Sequence, residues 1–280
     1  MYNHVEIGNI EGFNKIKACI GLSRSDHIRA VKELSPWAEG DVSDVKGGAK
    51  AALELLDQIN PRKYGFTRNH LDGAITHLSP YIRHGVVSLN HVRNYALAVD
   101  TPKSCEKFIQ QLAWRDYWQR LYRADPTIIW RDAEAYKTGF SADDYANDLP
   151  DDIINGQTGV ACIDYFIRQL VDTGFLHNHA RLYLAAYICH WRRVKWQAGA
   201  RWFLSHLLDG DPASNNMSFQ WVASTFSNKP YYYNLENVAK FSSRHINTTP
   251  LDNQILAGSY DEIYQILFPN LASLQRAVKS

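Results

Sequence analysis

The sequence contains no run of β-branched residues with a period of two, and no pair of turn residues of the kind that joins a β-hairpin. Three Ser/Thr/Asp-Pro pairs, at 79–80, 101–102 and 211–212, instead have the arrangement of a helix N-cap or first turn that contains proline. This combination predicts an almost entirely α-helical chain.

Apolar spacing and capping residues divide the chain into elements. The pattern predicts an N-terminal extension at 1–45 and one helical domain at 46–280, with no internal repeat. We expect loops or irregular structure at 62–78, 124–157 and 228–250. We expect helices at 47–57, from Ser79, from Ser88 to Ala98, and at 101–123, 158–173, 177–195, 198–208, 211–225 and 259–268.

Composition excludes several classes of protein. The 280 residues are 45% hydrophobic and 21% charged, as in a soluble globular protein. With a formal charge of +1, the chain cannot bind nucleic acid through its net charge. A local basic face is still compatible with this charge. The four cysteines form no CxxC pair, so no metal site is expected. No signal peptide and no membrane-spanning run are visible, which predicts a cytoplasmic protein without membrane contact.

One stretch, residues 173–208, contains no Asp or Glu. It ends at Asp209-Gly210-Asp211, which is followed by Asn215. A charge run of this kind is usually a solvated helix face. Here tryptophans alternate with the charges, which favours a binding site. The basic residues are Arg181, Arg192, Arg193, Lys195 and Arg201, with four histidines, and the tryptophans are Trp191, Trp196 and Trp202.

The residue types around this stretch suit a nucleotide-type ligand. Arginine binds phosphate in a bidentate manner, a carboxylate accepts from a ribose hydroxyl or a ring N–H, and asparagine offers both a donor and an acceptor. No GxGxxG or Walker A motif is present. The residues therefore predict a helical pocket for a large anionic aromatic ligand. The alternative is that they are helix caps and structural ion pairs.

Four strings are similar to the FAD-binding domain of the photolyase/cryptochrome family: LSPYIRHGVVS (78–88), FIQQLAWRDYW (108–118), HNHARLYLAAY (177–187) and LLDGDPASNNMSFQWVAST (207–225). They occur in the family's order over about 60% of the chain. The resemblance implies an all-α catalytic domain that holds FAD in a bent conformation. The family's N-terminal α/β antenna domain has no counterpart before the first string, and we expect that a partner protein could replace it.

The resemblance also implies a set of flavin contacts. Residues 76–79 would hold the diphosphate, with Tyr64 nearby, and Asn215 would lie beside the flavin N5. Arg181 would pair with Asp209. The full implied set is Tyr64, Thr76, His77, Leu78, Ser79, Gln111, Arg115, Asn178, Arg181, Asp209, Asp211 and Asn215.

On the substrate side, Trp114 and Trp221 match the two tryptophans that grip a flipped-out pyrimidine dimer in repair enzymes of the family. Core packing is the alternative role for both. The basic residues His179, Arg192, Arg193 and Lys195 could follow the DNA phosphates, or could form a solvated face.

Two positions depart from the family's pattern. Gln111 stands where repair enzymes have Glu, so this position lacks a negative charge and a transferable proton. Phe219 stands at the flavin-nearest position of the tryptophan electron relay, where Trp196 matches the middle member. Because phenylalanine is much harder to oxidise, we expect the relay to be broken.

The leading hypothesis is a light-driven enzyme that repairs pyrimidine dimers in DNA, with Trp114, Trp221, Gln111 and Asn215 at the reacting centre. The first alternative is a cryptochrome-like flavin photoreceptor or partner-binding protein without repair activity. The second is a flavin redox enzyme that does not need light. Light-dependent repair would distinguish the leading hypothesis from both alternatives. Bound flavin is required by all three hypotheses, so the flavin content of the protein tests them together.

Overall fold

The computed structural model describes residues 23–35 and 42–273, which are helical and contain no sheet. A single β-bridge within the described part joins Ala146 and Val194. The helices are α1 (Arg24–Leu34), α2 (Ala49–Leu56), α3 (Pro61–Thr67), α4 (Ser79–Arg83), α5 (Leu89–Val99), α6 (Pro102–Ala124), α7 (Asp151–Ile154), α8 (Ala161–Thr173), α9 (Asn178–Ala186), α10 (Trp196–His206), α11 (Pro212–Ala223), α12 (Leu235–Phe241) and α13 (Tyr260–Leu267). Ala142–Asp144 and Leu251–Leu256 form 3₁₀ turns, and Tyr187–Trp191 a π-helical turn.

The chain divides into two units, Met1–Asp44 and Val45–Ser280. The first contains α1, which is capped by the Ser23 hydroxyl. Residues 1–22 and 36–41 of the predicted extension lie outside the described residues.

The second unit is built on two hydrophobic clusters. The larger is formed by α8, α9, α10 and α11 and buries large rings, among them Phe166, Tyr183, Trp196 and Phe203. The smaller lies where α2, α4 and α5 meet α6 and includes Leu56, Leu78 and Phe108. Because α6 also packs against α11, this long helix connects the two clusters.

The predicted helix starts are confirmed where a capping residue was recognised. The hydroxyl oxygens of Ser88 and Thr101 accept hydrogen bonds from backbone N–H groups in the first turns of α5 and α6. Asp211 caps α11 in the same way, with Pro212 in the first turn. Ser259 caps α13 and forms a capping box with Glu262.

Four predictions of local structure are wrong, the first being the irregular region 124–157, which contains α7. We expected residues 62–78 to be a loop, but Asn60 caps α3 and Pro61 begins it, so this Asn-Pro pair starts a helix as well as ending the one before. The region 228–250 contains α12, capped by Asn234. The helix predicted at 177–195 becomes π-helical after Ala186 and ends at Trp191. Among the described residues, no helix is both long and apolar enough to cross a membrane.

Candidate functional site

A cleft opens between α6, α9, α10 and α11. Its polar lining residues are Arg115, Asn178, Arg181, Asp209, Asp211, Ser214, Asn215 and Ser218. Its apolar lining residues are Leu182, Ala185, Phe203, Leu207, Phe219 and Val222.

Arg181 and Asp209 form a buried ion pair among the polar lining residues. Nη2 of Arg181 lies 3.0 and 2.9 Å from the two carboxylate oxygens, and its Nε donates to the carbonyl of Leu176. Burial opposes ionisation of Asp209, but the charge and hydrogen bonds of Arg181, with the charge of Arg115, hold its pKa below the ordinary value. The pair therefore presents fixed charges of both signs to a ligand.

Asp211 joins α6 to the start of α11. Its carboxylate accepts from Gln119 Nε2 at 2.7 Å and from the Ser214 hydroxyl at 2.6 Å, while it also caps the helix through the Ala213 N–H. Arg115 lies 3.7 Å from the same carboxylate. Burial lowers the pKa of Arg115, and Asp211 opposes that shift.

The loop between α10 and α11 is held from the other side by the end of α4. Arg83 Nε donates to the carbonyl of Gly210 at 2.7 Å, and His84 Nε2 donates to that of Leu208 at 2.9 Å. These backbone contacts fix the position of the two carboxylates on the loop.

Asn215 has its amide orientation set by neighbours. Its Nδ2 donates to the carbonyl of Ala200 at 3.1 Å and to Oδ1 of Asn216 at 2.9 Å. Both partners are acceptors, which identifies the amide nitrogen and leaves Oδ1 as a hydrogen-bond acceptor at the cleft. This suits an N–H group of a ligand ring.

The predicted flavin residues fall into two groups. Arg115, Asn178, Arg181, Asp209, Asp211 and Asn215 all line the cleft. Ser79 lies beside it, close enough to Asp209 to lower the pKa of that carboxyl. The lining of the cleft does not include Tyr64, Gln111, Thr76, His77 or Leu78. Leu78 is buried in the smaller core, so only its backbone is available, and His77 is exposed with a left-handed φ of 54°.

The two predicted clamp tryptophans are exposed rather than buried in the core. Trp114 is 47% exposed and Trp221 is 41% exposed. Trp114 stacks on Trp118 with 5.4 Å between ring centroids, and Trp118 in turn meets Phe226 edge-on. α6 and α11 therefore each present an exposed tryptophan, and exposed aromatic rings of this kind are suited to stacking on bases.

The predicted phosphate-contacting residues are all engaged within the chain. Arg192 pairs with Asp152, and Lys195 donates to Asn147 Oδ1. The Arg193 guanidinium lies 3.5 Å from the centre of the Phe140 ring. His179 bonds to a backbone carbonyl and stacks on a tyrosine, and burial lowers its pKa. None of the four lines the cleft.

The two predicted relay positions differ in their surroundings. Trp196 is fully buried, and its indole N–H donates to Asp132 Oδ1 at 2.6 Å. Phe219 lines the cleft and meets Phe203 edge-on at 4.8 Å. A Cβ on Gly199 would lie 2.8 Å from the Phe219 ring, so this glycine permits a close approach of α10 to α11.

Sequence reasoning missed several residues of the site. Gln119 follows Gln111 and Arg115 at a spacing of four, so helical periodicity could have found it. No sequence signal pointed to the contacts of Arg83 and His84, which join segments more than 120 residues apart. His177, at the start of α9, is buried, and its Nε2 has no hydrogen-bond partner within the described residues.

Comparison with known proteins assigns the family. A family model described as the FAD binding domain of DNA photolyase matches residues 108–248, which is half of the chain. The chain belongs to this family, and its cofactor is FAD.

Two curated relatives are deoxyribodipyrimidine photo-lyases. The protein from Alkalihalophilus pseudofirmus is 30% identical over 205 residues, and the protein from Streptomyces griseus is 32% identical over 199 residues. Each alignment covers 70% of this chain and 42% of the relative. The chain thus spans about two fifths of the length of these relatives.

Solved structures show the same fold. An archaeal photolyase from Sulfolobus tokodaii has a TM-score of 0.62 at 26% identity, covering 75% of this chain and 48% of its own. A Synechocystis cryptochrome has a TM-score of 0.65 at 23% identity, covering 74% and 47%. The second likeness shows the fold alone.

The donor set of the cleft fits FAD. Arg115 and Arg181 can face an anionic group, Asp209 and Asp211 can accept from hydroxyls or a ring N–H, and Asn215 offers an amide oxygen. The apolar residues that line the cleft can contact the ring system of the flavin. Among the described residues, no three His, Cys, Asp or Glu side chains come together as metal ligands.

Proposed function

We propose that this protein repairs pyrimidine dimers in DNA with light, using reduced FAD as the electron donor. The observation that supports this most is the combination of a flavin-type cleft with two exposed tryptophans on α6 and α11, in a chain of the photolyase family. FAD, when bound and reduced, supplies one electron under light.

The residues of the cleft have separate tasks in this proposal. Arg181 and Asp209 hold the cofactor by fixed opposite charges, and Asp211 keeps α6 and α11 in register around it. Asn215 Oδ1 accepts from a protonated ring nitrogen and so favours the reduced form of the cofactor. Phe203 and Val222, which also line the cleft, would limit the access of water to the ring.

In this proposal the two exposed tryptophans make the contacts with DNA. Trp114 and Trp221 would stack on the extruded dimer, each stack contributing about 1–3 kcal/mol. A damaged base is extruded at lower cost than a paired one, which favours the lesion over intact DNA. Since His179, Arg192, Arg193 and Lys195 are engaged within the chain, phosphate contacts by these four residues would require their present partners to be displaced.

The test uses the purified protein, reduced chemically and illuminated with blue light in the presence of an oligonucleotide that contains one thymine dimer. We expect light-dependent restoration of the two thymines. Bound flavin without any restoration would reject repair and favour a photoreceptor. Preferential binding of dimer-containing strands would reject the light-independent redox enzyme.

A further inference from the structure

A second concave site lies on the outer face of α10. It is an open groove lined by residues 147–149 of the preceding loop and by Ala198, Arg201, Trp202 and Ser205. These four residues share one face of the helix, while Phe203, on the other face, lines the FAD cleft. The groove and the cleft are therefore separated by the thickness of one helix.

The groove combines an aromatic ring with a cation that has no anionic partner. The Arg201 guanidinium lies 5.0 Å from the centre of the Trp130 ring, and within residues 23–35 and 42–273 it forms no ion pair. Trp202 is half-buried, packs against Phe203 and His206, and its indole N–H has no acceptor in the same part of the chain. The indole is thus positioned by its neighbours.

The loop residues of the groove add two polar groups. Asp148 has an exposed carboxylate that accepts no hydrogen bond from the described residues. Asn147 accepts from Lys195 Nζ at 2.7 Å, which places a second positive charge at the groove. The groove therefore brings together a carboxylate, an indole ring and a guanidinium, with the Lys195 ammonium beside the carboxylate-bearing loop.

We propose that this groove binds a planar heteroaromatic anion. Its ring would stack on Trp202, its anionic substituent would meet Arg201, and a ring N–H would donate to Asp148. A nucleotide of a DNA strand has related chemistry, but the groove lies on the face of α10 away from the cleft. A separate small-molecule site is therefore the interpretation that the geometry favours.

The experiment uses the full chain saturated with FAD, so that the first cleft is occupied, and FMN as the probe. Equilibrium dialysis measures FMN binding, with riboflavin as the matched probe that lacks the phosphate. We expect saturable binding of FMN and weaker binding of riboflavin. Absence of saturable FMN binding would overturn the proposal.

Substitutions assign the binding to the groove. Trp202→Ala should weaken both probes about tenfold or more, and Trp202→Phe should restore most of the affinity. Arg201→Ala should weaken FMN about fivefold and leave riboflavin unchanged. Arg168→Ala, which removes an exposed arginine of α8, should change neither.

Two further results would contradict the proposal. One is FMN binding that Trp202→Ala and Arg201→Ala leave unchanged. The other is displacement of FMN by a single-stranded oligonucleotide, which would identify the groove as a nucleic-acid surface. Both measurements are independent of repair activity, so their outcome does not depend on the proposed function.

Discussion

The Arg181 guanidinium lies within 3.0 Å of both carboxylate oxygens of Asp209, across 28 residues of sequence. Asp209→Asn would leave Arg181 largely buried without its counter-charge, and we expect FAD affinity to fall at least tenfold. Flavin content after purification and FAD titration measure this. Asp152→Asn is the matched control because it opens the Arg192–Asp152 pair, which is away from the cleft. Equal loss of FAD in both variants would contradict the assignment.

Removal of the indole ring of either Trp114 or Trp221 should weaken binding of the DNA lesion without unfolding the protein. Trp114→Ala and Trp221→Ala should each lower affinity for dimer-containing DNA by about 5- to 100-fold, because each removes a stacking surface that is exposed in the fold. Electrophoretic mobility shift at fixed salt measures the effect. Tyr260→Ala, which removes an exposed ring on α13, should have no effect on DNA binding. FAD content should be unchanged in all three variants.

Phe219 should limit photoreduction of oxidised FAD. Phe219→Trp provides an oxidisable ring in the cleft, so bleaching of the flavin band under blue light with a thiol reductant should become faster. The larger indole meets Gly199, and we expect a cost of about 1–3 kcal/mol in the free energy of unfolding. Wild-type bleaching as fast as that of the variant would show that Phe219 is not the barrier.

Compared with a glutamate at the same position, Gln111 should lower the yield of repair and leave the affinity for DNA unchanged. It lies one turn before Arg115 on α6, and Gln111→Glu would add a negative charge and a transferable proton on that face. We expect more dimers repaired per absorbed photon and unchanged DNA affinity. Gln111→Ala serves as the control for side-chain volume, and an equal yield from all three proteins would exclude a role for this position.

Two buried histidines should make stability fall in mild acid. Burial lowers the pKa of His177 and of His190 to about 4, whereas an unfolded chain has a histidine pKa of about 6.5. Between these values the unfolded state binds more protons, so each histidine should remove about 1–2 kcal/mol of stability as pH falls from 7 to 5. Urea unfolding at the two pH values measures this.

Replacement of one histidine tests the assignment. In His190→Gln, the free energy of unfolding should decrease between pH 7 and pH 5 by about half as much as in the wild type. This holds whatever the stability of the variant at pH 7. An unchanged pH dependence would show that other groups are responsible.

Local signals predicted most of the fold. Thr101, Ser88 and Asp211 act as caps where the sequence indicated, because capping depends on residues within one turn. Asn60-Pro61 misled the prediction, since the same pair ends one helix and starts another. The change to a π-helical turn after Ala186 depends on tertiary packing and has no local signal.

The site was predictable to a similar degree. Arg181, Asp209 and Asn215 follow from matched strings, and the cleft brings them together. The ion pair between Arg192 and Asp152 could not be predicted, because the sequence does not show which distant carboxylate a basic side chain contacts in the fold. The same limit applies to the contact of His84 with the carbonyl of Leu208.

The position of Asp211 has a consequence for the stability of the protein with and without its cofactor. The FAD cleft is lined by four helices, and side-chain hydrogen bonds such as Gln119 to Asp211 join some of them beside the hydrophobic core. A ligand that contacts all four adds free energy only to the folded state, by an amount that grows with the logarithm of its concentration. The free energy of unfolding should therefore be higher for the protein with FAD than for the protein without it.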